Sequence, residues 1–196
     1  HDLSEMRANP ATDAMQALFT QCSHLMTSLT KIPQPIIARV HGVAAAAGCQ
    51  LVAQCDLAIS TERATFGTSG VKIGLFCSTP MVAVTRNLPR KQAMEMLMTG
   101  DLIDSKTAER YGLVNRVVPE DNLDSEILDL ATKIIGNSPA AIRRGKRLFY
   151  TQIEKGLEAA YIQATEAISS NMQDQDARAG IDAFMEKRPM PHWKGR

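Results

Sequence analysis

Five consecutive small residues, Ala44 to Gly48, stand between an apolar, β-branched run and a short amphipathic stretch. The pattern predicts that a strand gives way to a helix here, and the first turn of a helix exposes about four unpaired N–H groups at the positive end of its dipole. Because the side chains are so small, a ligand oxygen can reach this backbone. The run therefore predicts half of an oxyanion hole, with the N–H of Ala47 or Gly48 directed at a ligand oxygen. Close packing of a helix on a sheet is the simpler alternative.

The polar side chains around this run are weaker candidates. Gln50 either hydrogen-bonds a bound water or a ligand carbonyl, or caps the first turn of its helix. A nucleophile at Cys77 or Ser78 would need an activating base, and no histidine is near them in the sequence. Turns, caps or surface positions explain the remaining candidates at least as well; these are Thr68, Ser69, Asp56, His24 and His41. The sequence leaves open whether Asp101 or Glu109 brings a carboxylate to the same place.

The composition is that of an ordinary globular chain, 196 residues long with 44% hydrophobic content. The 22 Lys and Arg residues balance 21 Asp and Glu residues, so charge gives no reason to expect nucleic acid or an anionic membrane as a partner. No apolar run reaches the roughly 18 residues of a membrane span, and residues 1–30 lack the layout of a signal peptide. A G-x-G-x-x-G loop and a Gly-Lys-Ser/Thr motif are both absent, which argues against nucleotide loops of those kinds.

The four cysteines have neither C-x-x-C spacing nor a companion histidine at metal-ligand spacing. We therefore expect reduced thiols and no metal site. Because reduced thiols are typical of reducing compartments, we expect the protein in the cytoplasm, or in the mitochondrial matrix if it is eukaryotic. The chain opens at His1 without an initiator methionine, and the following Asp2-Leu3 is typical of the middle of a segment, which indicates a fragment or a processed form.

Hydrophobic periodicity predicts the elements that carry the small-residue run. Apolar residues at three-and-four spacing predict one amphipathic helix over residues 11–31, ending before Pro33. Residues 35–60 then predict a compact strand–helix–strand unit. Its expected elements are a strand over 35–45, a helix over 48–55 and a strand over 56–60.

The second half of the chain is predicted to be mostly helical. The expected elements are loops with a short strand over 64–80, a helix over 81–98, a helix over 105–113 capped by Ser105, a strand over 114–119 and three helices over 122–184. No linker long enough to separate independent domains is present. Residues 1–120 and 121–196 are therefore interpreted as the core and the helical region of one domain.

Four ordered stretches of this sequence resemble one known family. They are "PIIARVHGVAAAAGCQLVAQCDLAIST" (35–61), "ATFGTSGVKIGL" (64–75), "AMEMLMTGDLIDSKTAERYGLVNRVVP" (93–119) and "GIDAFMEKRPMPHW" (180–193). In this order and at this spacing they resemble the enoyl-CoA hydratase/isomerase (crotonase) superfamily. The resemblance runs from His1 to about Trp193, so it is more specific than any one motif.

The resemblance implies an α/β fold, with a crotonase-like ββα spiral core that lacks its N-terminal strands in this chain and a C-terminal helical trimerisation region. It implies a homotrimer or hexamer that binds an acyl-CoA thioester, with no covalently bound cofactor and coenzyme A entering as part of the substrate. In the family, two backbone N–H groups hold the thioester carbonyl, and the matching positions in this sequence are Ala47 and His1. Asp2 and Leu3 match the stretch that directly follows the position of His1. Lys187 matches a lysine that reaches a CoA phosphate.

Two departures from the family pattern bear on the reaction. The glutamates with which hydratases of this family act on water fall on Gln50 and Gly70. Glutamine exchanges no proton near neutral pH and glycine has no side chain, so neither can serve as general acid or base. We expect a member whose oxyanion hole stabilises an enolate, with a non-catalytic acyl-CoA-binding or assembly subunit, or a purely structural trimer, as alternatives. Filling of the pocket beside Ala47 and Gly70 by side chains such as Phe66 or Phe76 would favour the structural trimer.

Overall fold

The computed structural model describes residues 1–196 as ten α-helices, six short β-strands and two 3₁₀ turns. The helices are α1 Leu3–Ala8, α2 Thr12–Lys31, α3 Ala47–Gln54, α4 Ser78–Val84, α5 Arg90–Thr99, α6 Ser105–Tyr111, α7 Leu123–Ile135, α8 Pro139–Gln152, α9 Leu157–Asn171 and α10 Gln175–Met185. The strands are β1 Ile37–Val40, β2 Val43–Ala45, β3 Leu57–Thr61, β4 Thr65–Gly67, β5 Ile103–Asp104 and β6 Arg116–Val118, and the 3₁₀ turns are Ser69–Ile73 and Glu120–Asn122. Two compact units are formed, the first by His1–Leu29 with Ile36–Ile127 and the second by Thr30–Pro35 with Leu128–Arg196.

The strands of the first unit form two three-stranded sheets. In one sheet β3 lies between β1 and β6 and is parallel to both, and in the other β4 is parallel to β2 and antiparallel to β5. The prediction of a single strand over residues 35–45 is therefore wrong, because the chain bends at Gly42 and passes from one sheet to the other. Apolar residues continue on both sides of the bend, so the hydrophobic pattern contains no sign of it.

Apart from the division of its first strand, the strand–helix–strand unit predicted over residues 35–60 is confirmed. β1 and β3 are parallel neighbours, and α3 lies between them in the sequence, within one residue of the predicted helix at each end. The long helix predicted over residues 11–31 is also confirmed as α2. The short helix α1 is not predicted by the hydrophobic pattern; Asp2 caps it by accepting the N–H of Ser4 over 2.7 Å.

Two predicted helix boundaries are wrong. The single helix predicted over residues 81–98 is two helices, α4 and α5, because Pro89 is extended at the start of α5 and disfavours helix in the residue before it. Asp104, rather than Ser105, caps α6, and its Oδ1 accepts the N–H of Thr107 over 2.7 Å. Ser105 is the first helical residue and donates its hydroxyl to the carbonyl of Glu62 over 2.8 Å.

The core of the first unit contains many small side chains. Alanines and Cys49 pack with a few larger residues, of which Phe66 has the largest fully buried side chain. Small residues let backbones approach closely, and α3 packs against α4 in this way. No helix of the chain combines the length and the hydropathy of a membrane span.

The second unit is helical. Ser138 caps α8 by accepting the N–H of Ala141 over 3.3 Å, and Pro139 occupies the first turn, where its missing N–H is tolerated. α9 begins after Gly156 and packs against α8. Residues 123–185 hold four helices, α7 to α10, so the predicted number of three is wrong.

Candidate functional site

The ends of two parallel strands bring together the segments singled out by the sequence. β2 pairs with β4 so that Ala45 lies beside Gly67. The N–H of Ala46 donates to the carbonyl of Gly67 over 2.8 Å. Because the strands end at one edge of the sheet, α3 begins at Ala47 and a 3₁₀ turn begins at Ser69 on the same side.

The first turn of α3 has free backbone donors. Ala46 caps the helix with a φ of +49° and has no side chain that can accept its N–H groups. The N–H of Gln50 donates to the carbonyl of Ala46 over 3.0 Å, but the N–H groups of Ala47 and Gly48 have no acceptor in the protein. Ala47 is half-buried and Gly48 is exposed. A carbonyl oxygen that approaches this turn would meet N–H groups at the positive end of the helix.

Gln50 does not cap its helix, so that alternative is wrong. Its side chain is only 3% exposed, and its Oε1 accepts the thiol of Cys22, with the sulfur 3.8 Å away. The amide nitrogen, Nε2, has no acceptor within the protein. Nε2 is not one of the fully buried polar atoms that lack a partner, so a water or a ligand can reach it. The other alternative for Gln50, a hydrogen bond to a bound water or a ligand carbonyl, stays a prediction.

The space beside Gly70 is occupied by the chain itself. A Cβ at Gly70 would lie 2.8 Å from the Sγ of Cys77 and 2.8 Å from the carbonyl oxygen of Leu75. The N–H of Gly70 donates to the Sγ of Cys77 over 3.3 Å, and the N–H of Leu75 donates to the carbonyl of Gly70 over 3.0 Å. Phe66 belongs to the core and Phe76 is 46% exposed. Backbone and a thiol, rather than an aromatic ring, therefore close on this glycine.

Several of the weaker candidates have structural partners. The hydroxyl of buried Thr68 donates to the carbonyl of Met96 over 3.1 Å. Asp56 accepts the N–H of Ile36 just before β1, over 2.7 Å, as a structural role predicts. The hydroxyl of Ser78 donates to the carbonyl of Phe76 over 3.2 Å. The remaining three lie at the surface or are half-buried, and they are His24, His41 and Ser69.

The two carboxylates left open by the sequence are engaged elsewhere. Asp101 forms an ion pair with Lys72, 2.6 Å from Nζ to Oδ1. Glu109 accepts the N–H of Val117 over 3.3 Å. Neither carboxylate hydrogen-bonds Gln50 or Gly70. The chain forms no cluster of three or more His, Cys, Asp or Glu side chains that could hold a metal ion.

The thiol nearest the helix N-terminus is not a nucleophile. Cys49 is fully buried, and burial raises the pKa of its thiol to about 12, although a hydrogen bond from the backbone of Gly67 acts in the opposite direction. A thiol with such a pKa is protonated at neutral pH, and the thiolate is the reactive form. Chemistry at this edge of the sheet therefore has to rely on backbone N–H groups and neutral side chains.

The family-matched residues at the ends of the chain are exposed. The ring of His1 contacts Phe19 edge-on, with the centroids 5.2 Å apart, while Asp2 caps α1 and Leu3 is its first residue. Lys187 follows α10 with a φ of +53° and forms no ion pair. The structure thus assigns a local structural role to Asp2 and leaves the ammonium of Lys187 available.

The core of the first unit is α/β, and in it a helix N-terminus with open N–H groups follows paired parallel strands. The family model described as enoyl-CoA hydratase/isomerase matches residues 1–196. The chain belongs to this family, and the crotonase fold expected from the sequence is confirmed.

Individual relatives agree with this assignment. The enoyl-CoA hydratase domain-containing protein 3, mitochondrial, of Mus musculus is 45% identical over 193 residues, which cover 98% of this chain and 64% of that protein. The chain thus spans just under two thirds of the length of this curated relative. The stretch "GLFCSTP" (74–80) indicates similarity to the same group, and this identity confirms it.

Two solved structures are also similar to this chain, both in sequence and in fold. The crystal structure of enoyl-CoA hydratase from Mycobacterium smegmatis has a TM-score of 0.96 at 50% identity and covers 98% of this chain and 75% of that one. The crystal structure of human enoyl-CoA hydratase domain-containing protein 3 has a TM-score of 0.94 at 43% identity and covers 98% of this chain and 76% of that one.

The closure of the chain over Gly70 is the feature that sequence reasoning missed. It joins Gly70 to Cys77 across a turn, through a backbone N–H and a thiol. The spacing of small residues over 67–74 signals a tight turn, but only the backbone path reveals which atoms fill it.

Proposed function

We propose that this chain binds an acyl-CoA thioester and polarises its carbonyl oxygen at the N-terminus of α3. The observation that carries the proposal is the pair of N–H groups at Ala47 and Gly48 that have no acceptor in the protein. Aligned N–H donors stabilise negative charge that develops on a carbonyl oxygen. In the family arrangement the N–H of Ala47 acts together with a second donor, which the match puts at His1.

The proposed chemistry is stabilisation of an enolate or a similar oxyanion without the usual acid–base pair. Gln50 is neutral and buried, and Gly70 has no side chain. Addition of water to a double bond needs a group that takes and returns a proton, so we do not expect hydration by the usual residues. A polarised thioester carbonyl still favours isomerisation, decarboxylation or thioester hydrolysis, provided that another group handles the proton. The unused Nε2 donor of Gln50 is proposed to bind the acyl portion of the ligand or a water beside it.

A non-catalytic acyl-CoA-binding or assembly subunit is the second candidate. It is favoured by the engagement of Asp101 with Lys72 and of Glu109 with the backbone of Val117, which leaves no carboxylate bonded at Gln50 or Gly70. Turnover of any acyl-CoA by the purified protein separates this candidate from the enzyme.

Coenzyme A enters as part of the ligand, and no covalently bound cofactor is proposed. The unpaired ammonium of Lys187 suits an ion pair with a CoA phosphate. The segment His1–Leu3 is proposed to contact the ligand near the thioester. The mouse relative is named mitochondrial, and we propose the mitochondrial matrix, or the cytoplasm, for this chain.

A homotrimer, or a hexamer of two trimers, is the proposed assembly. Large apolar side chains on α9 and α10 are more than half exposed, which is unfavourable for a face in contact with water. They are Leu157, Tyr161, Ile162, Ile168, Phe184 and Met185. Sedimentation velocity of the intact protein tests this assembly, and a monomer at micromolar concentration would contradict it.

A matched pair of ligands tests the carbonyl-binding proposal. Butyryl-CoA and its thioether counterpart S-butyl-CoA differ chiefly in the carbonyl oxygen, and calorimetry gives the two dissociation constants. A hydrogen bond to the backbone is worth about 0.5 to 1.5 kcal/mol, so butyryl-CoA should bind about twofold to twelvefold more tightly. Equal affinities would refute binding of the carbonyl by the N–H groups of α3.

A further inference from the structure

The segment that follows α10 turns back along that helix. At the turn, the N–H of Arg188 donates to the carbonyl of Ala183 over 2.9 Å. Near the middle of the helix, the indole of Trp193 covers Gly180, where a Cβ would come within 3.2 Å of the ring. Glycine in a helix interior is unfavourable relative to alanine. Its presence at Gly180 keeps room for the close contact of the indole with the helix.

A buried carboxylate holds the far end of this segment. Asp176, in the first turn of α10, is 3% exposed, and its Oδ1 accepts the N–H of Lys194 over 2.7 Å. Its Oδ2 accepts the N–H of Gly195 over 2.9 Å and the hydroxyl of Ser138 over 2.7 Å, and its own N–H donates to the carbonyl of Arg196 over 3.0 Å. Release of the segment would remove three of these four hydrogen bonds, those with Lys194, Gly195 and Arg196. Asp176 therefore fastens the end of the segment to the start of the helix.

Lys187 stands at the tip of the reversal between α10 and the segment. It is one of two non-glycine residues with positive φ, at +53°, and its N–H donates to the carbonyl of Phe184 over 3.2 Å. A left-handed residue other than glycine is strained and persists only where its surroundings enforce it. Its neighbour Glu186 pairs with Arg188, so the exposed ammonium of Lys187 remains without an acidic partner.

We infer that Asp176 is a positioning residue for Lys187: by holding the end of the C-terminal segment, it fixes the turn from which Lys187 contacts a CoA phosphate. The inference rests on the proposed function. The connection is short and stiff, because Pro189 and Pro191 restrict the backbone between the turn and the anchored end. The indole of Trp193 adds a second attachment, since its Nε1–H donates to the carbonyl of Gly136 over 2.7 Å.

Two ligands separate a positioning role from a merely structural one. Calorimetry with the intact protein compares acetoacetyl-CoA with acetoacetyl-pantetheine, which has the same thioester but lacks the whole nucleotide with its phosphates. Lys187→Ala should reduce the preference for the CoA thioester about fivefold to tenfold, as expected for loss of a charge-assisted contact. Asp176→Asn should cause at least half of the reduction in this preference that Lys187→Ala causes. The double variant should show no greater reduction than Lys187→Ala alone.

Trp193→Phe removes the hydrogen bond to Gly136 and the far edge of the indole that covers Gly180, and it tests the anchoring of the segment if Asp176→Asn does not fold. It should lower the preference in the same direction. An unchanged preference in both of these variants, beside a lowered one in Lys187→Ala, overturns the inference and leaves the proposed function standing. Equal weakening of both ligands, or no effect of Lys187→Ala, also overturns it. Failure of the unmodified protein to bind either ligand overturns the proposed function and the inference together.

Discussion

Gly70→Ala adds one methyl group at the point where the chain folds back on its 3₁₀ turn. The new Cβ would lie 2.8 Å from both the Sγ of Cys77 and the carbonyl oxygen of Leu75, about 0.6 Å short of the 3.4 Å at which ordinary contact begins. The thiol can rotate away, but the carbonyl belongs to backbone that is tied to Gly70 through the N–H of Leu75. Overpacking of this kind costs about 1 to 3 kcal/mol. We expect the free energy of unfolding to fall by about 2 kcal/mol.

Urea unfolding at a fixed protein concentration measures this loss. With a slope of about 2 kcal/mol per molar urea, the midpoint should fall by about 1 M. Gly145→Ala is the matched control, because a Cβ there meets nothing within 4 Å and the residue lies inside α8. It should raise stability by up to about 1 kcal/mol. An unchanged or higher midpoint for Gly70→Ala would refute the close approach of Leu75 and Cys77 to this glycine.

Three further predictions follow from the backbone, a carboxylate and a thiol. Ala46→Gly relieves the φ of +49° and should raise the free energy of unfolding by about 1 kcal/mol in the same urea assay, whereas a loss would contradict strain at this residue. The hydroxyl of Ser138, and then the N–H groups of Lys194 and Gly195, hold the pKa of Asp176 below its usual range. A lowered pKa stabilises the fold above the unfolded value of about 3.9, so the stability advantage over Asp176→Asn should be present at pH 7 and lost as the pH falls through the lowered pKa. The fluorescence of Trp193, the only tryptophan, follows this release, and identical acid profiles of the two proteins would contradict it. Burial raises the pKa of Cys49 to about 12, so iodoacetamide at pH 8 should leave it unmodified in the folded protein; peptide mass spectrometry checks this, and labelling without denaturant would contradict the assignment.

The elements that form the candidate site are predictable because local rules act on them. Apolar spacing defines α2, and the small residues over 44–48 mark the strand-to-helix transition at α3. The division of the strand at Gly42 is not predictable in this way, because the choice between two sheets depends on pairing with residues distant in the sequence. Pro89 indicates an interruption between α4 and α5, but hydrophobic periodicity alone does not take this proline into account.

Side-chain partners in the site are harder to predict than the elements. Nothing in the sequence indicates that Gln50 bonds Cys22 rather than its own helix, because the two residues are on separate helices. The closure on Gly70 likewise depends on how a turn directs the carbonyl of Leu75. The anchoring of the C-terminal segment by Asp176 is hidden for the same reason, since its partners are mostly backbone N–H groups that every sequence possesses.

The central claim is that this chain binds an acyl-CoA thioester without the acid–base pair needed to add water. The most direct test gives crotonyl-CoA to the intact, unmodified protein and follows the loss of its conjugated thioester absorbance, while calorimetry measures binding of acetoacetyl-CoA to the same preparation. We predict saturable binding of acetoacetyl-CoA and no hydration of crotonyl-CoA above the uncatalysed rate, because neither Gln50 nor Gly70 has a side chain that can act as an acid or base near neutral pH. Hydration by the unmodified protein would contradict the claim, and so would the absence of binding.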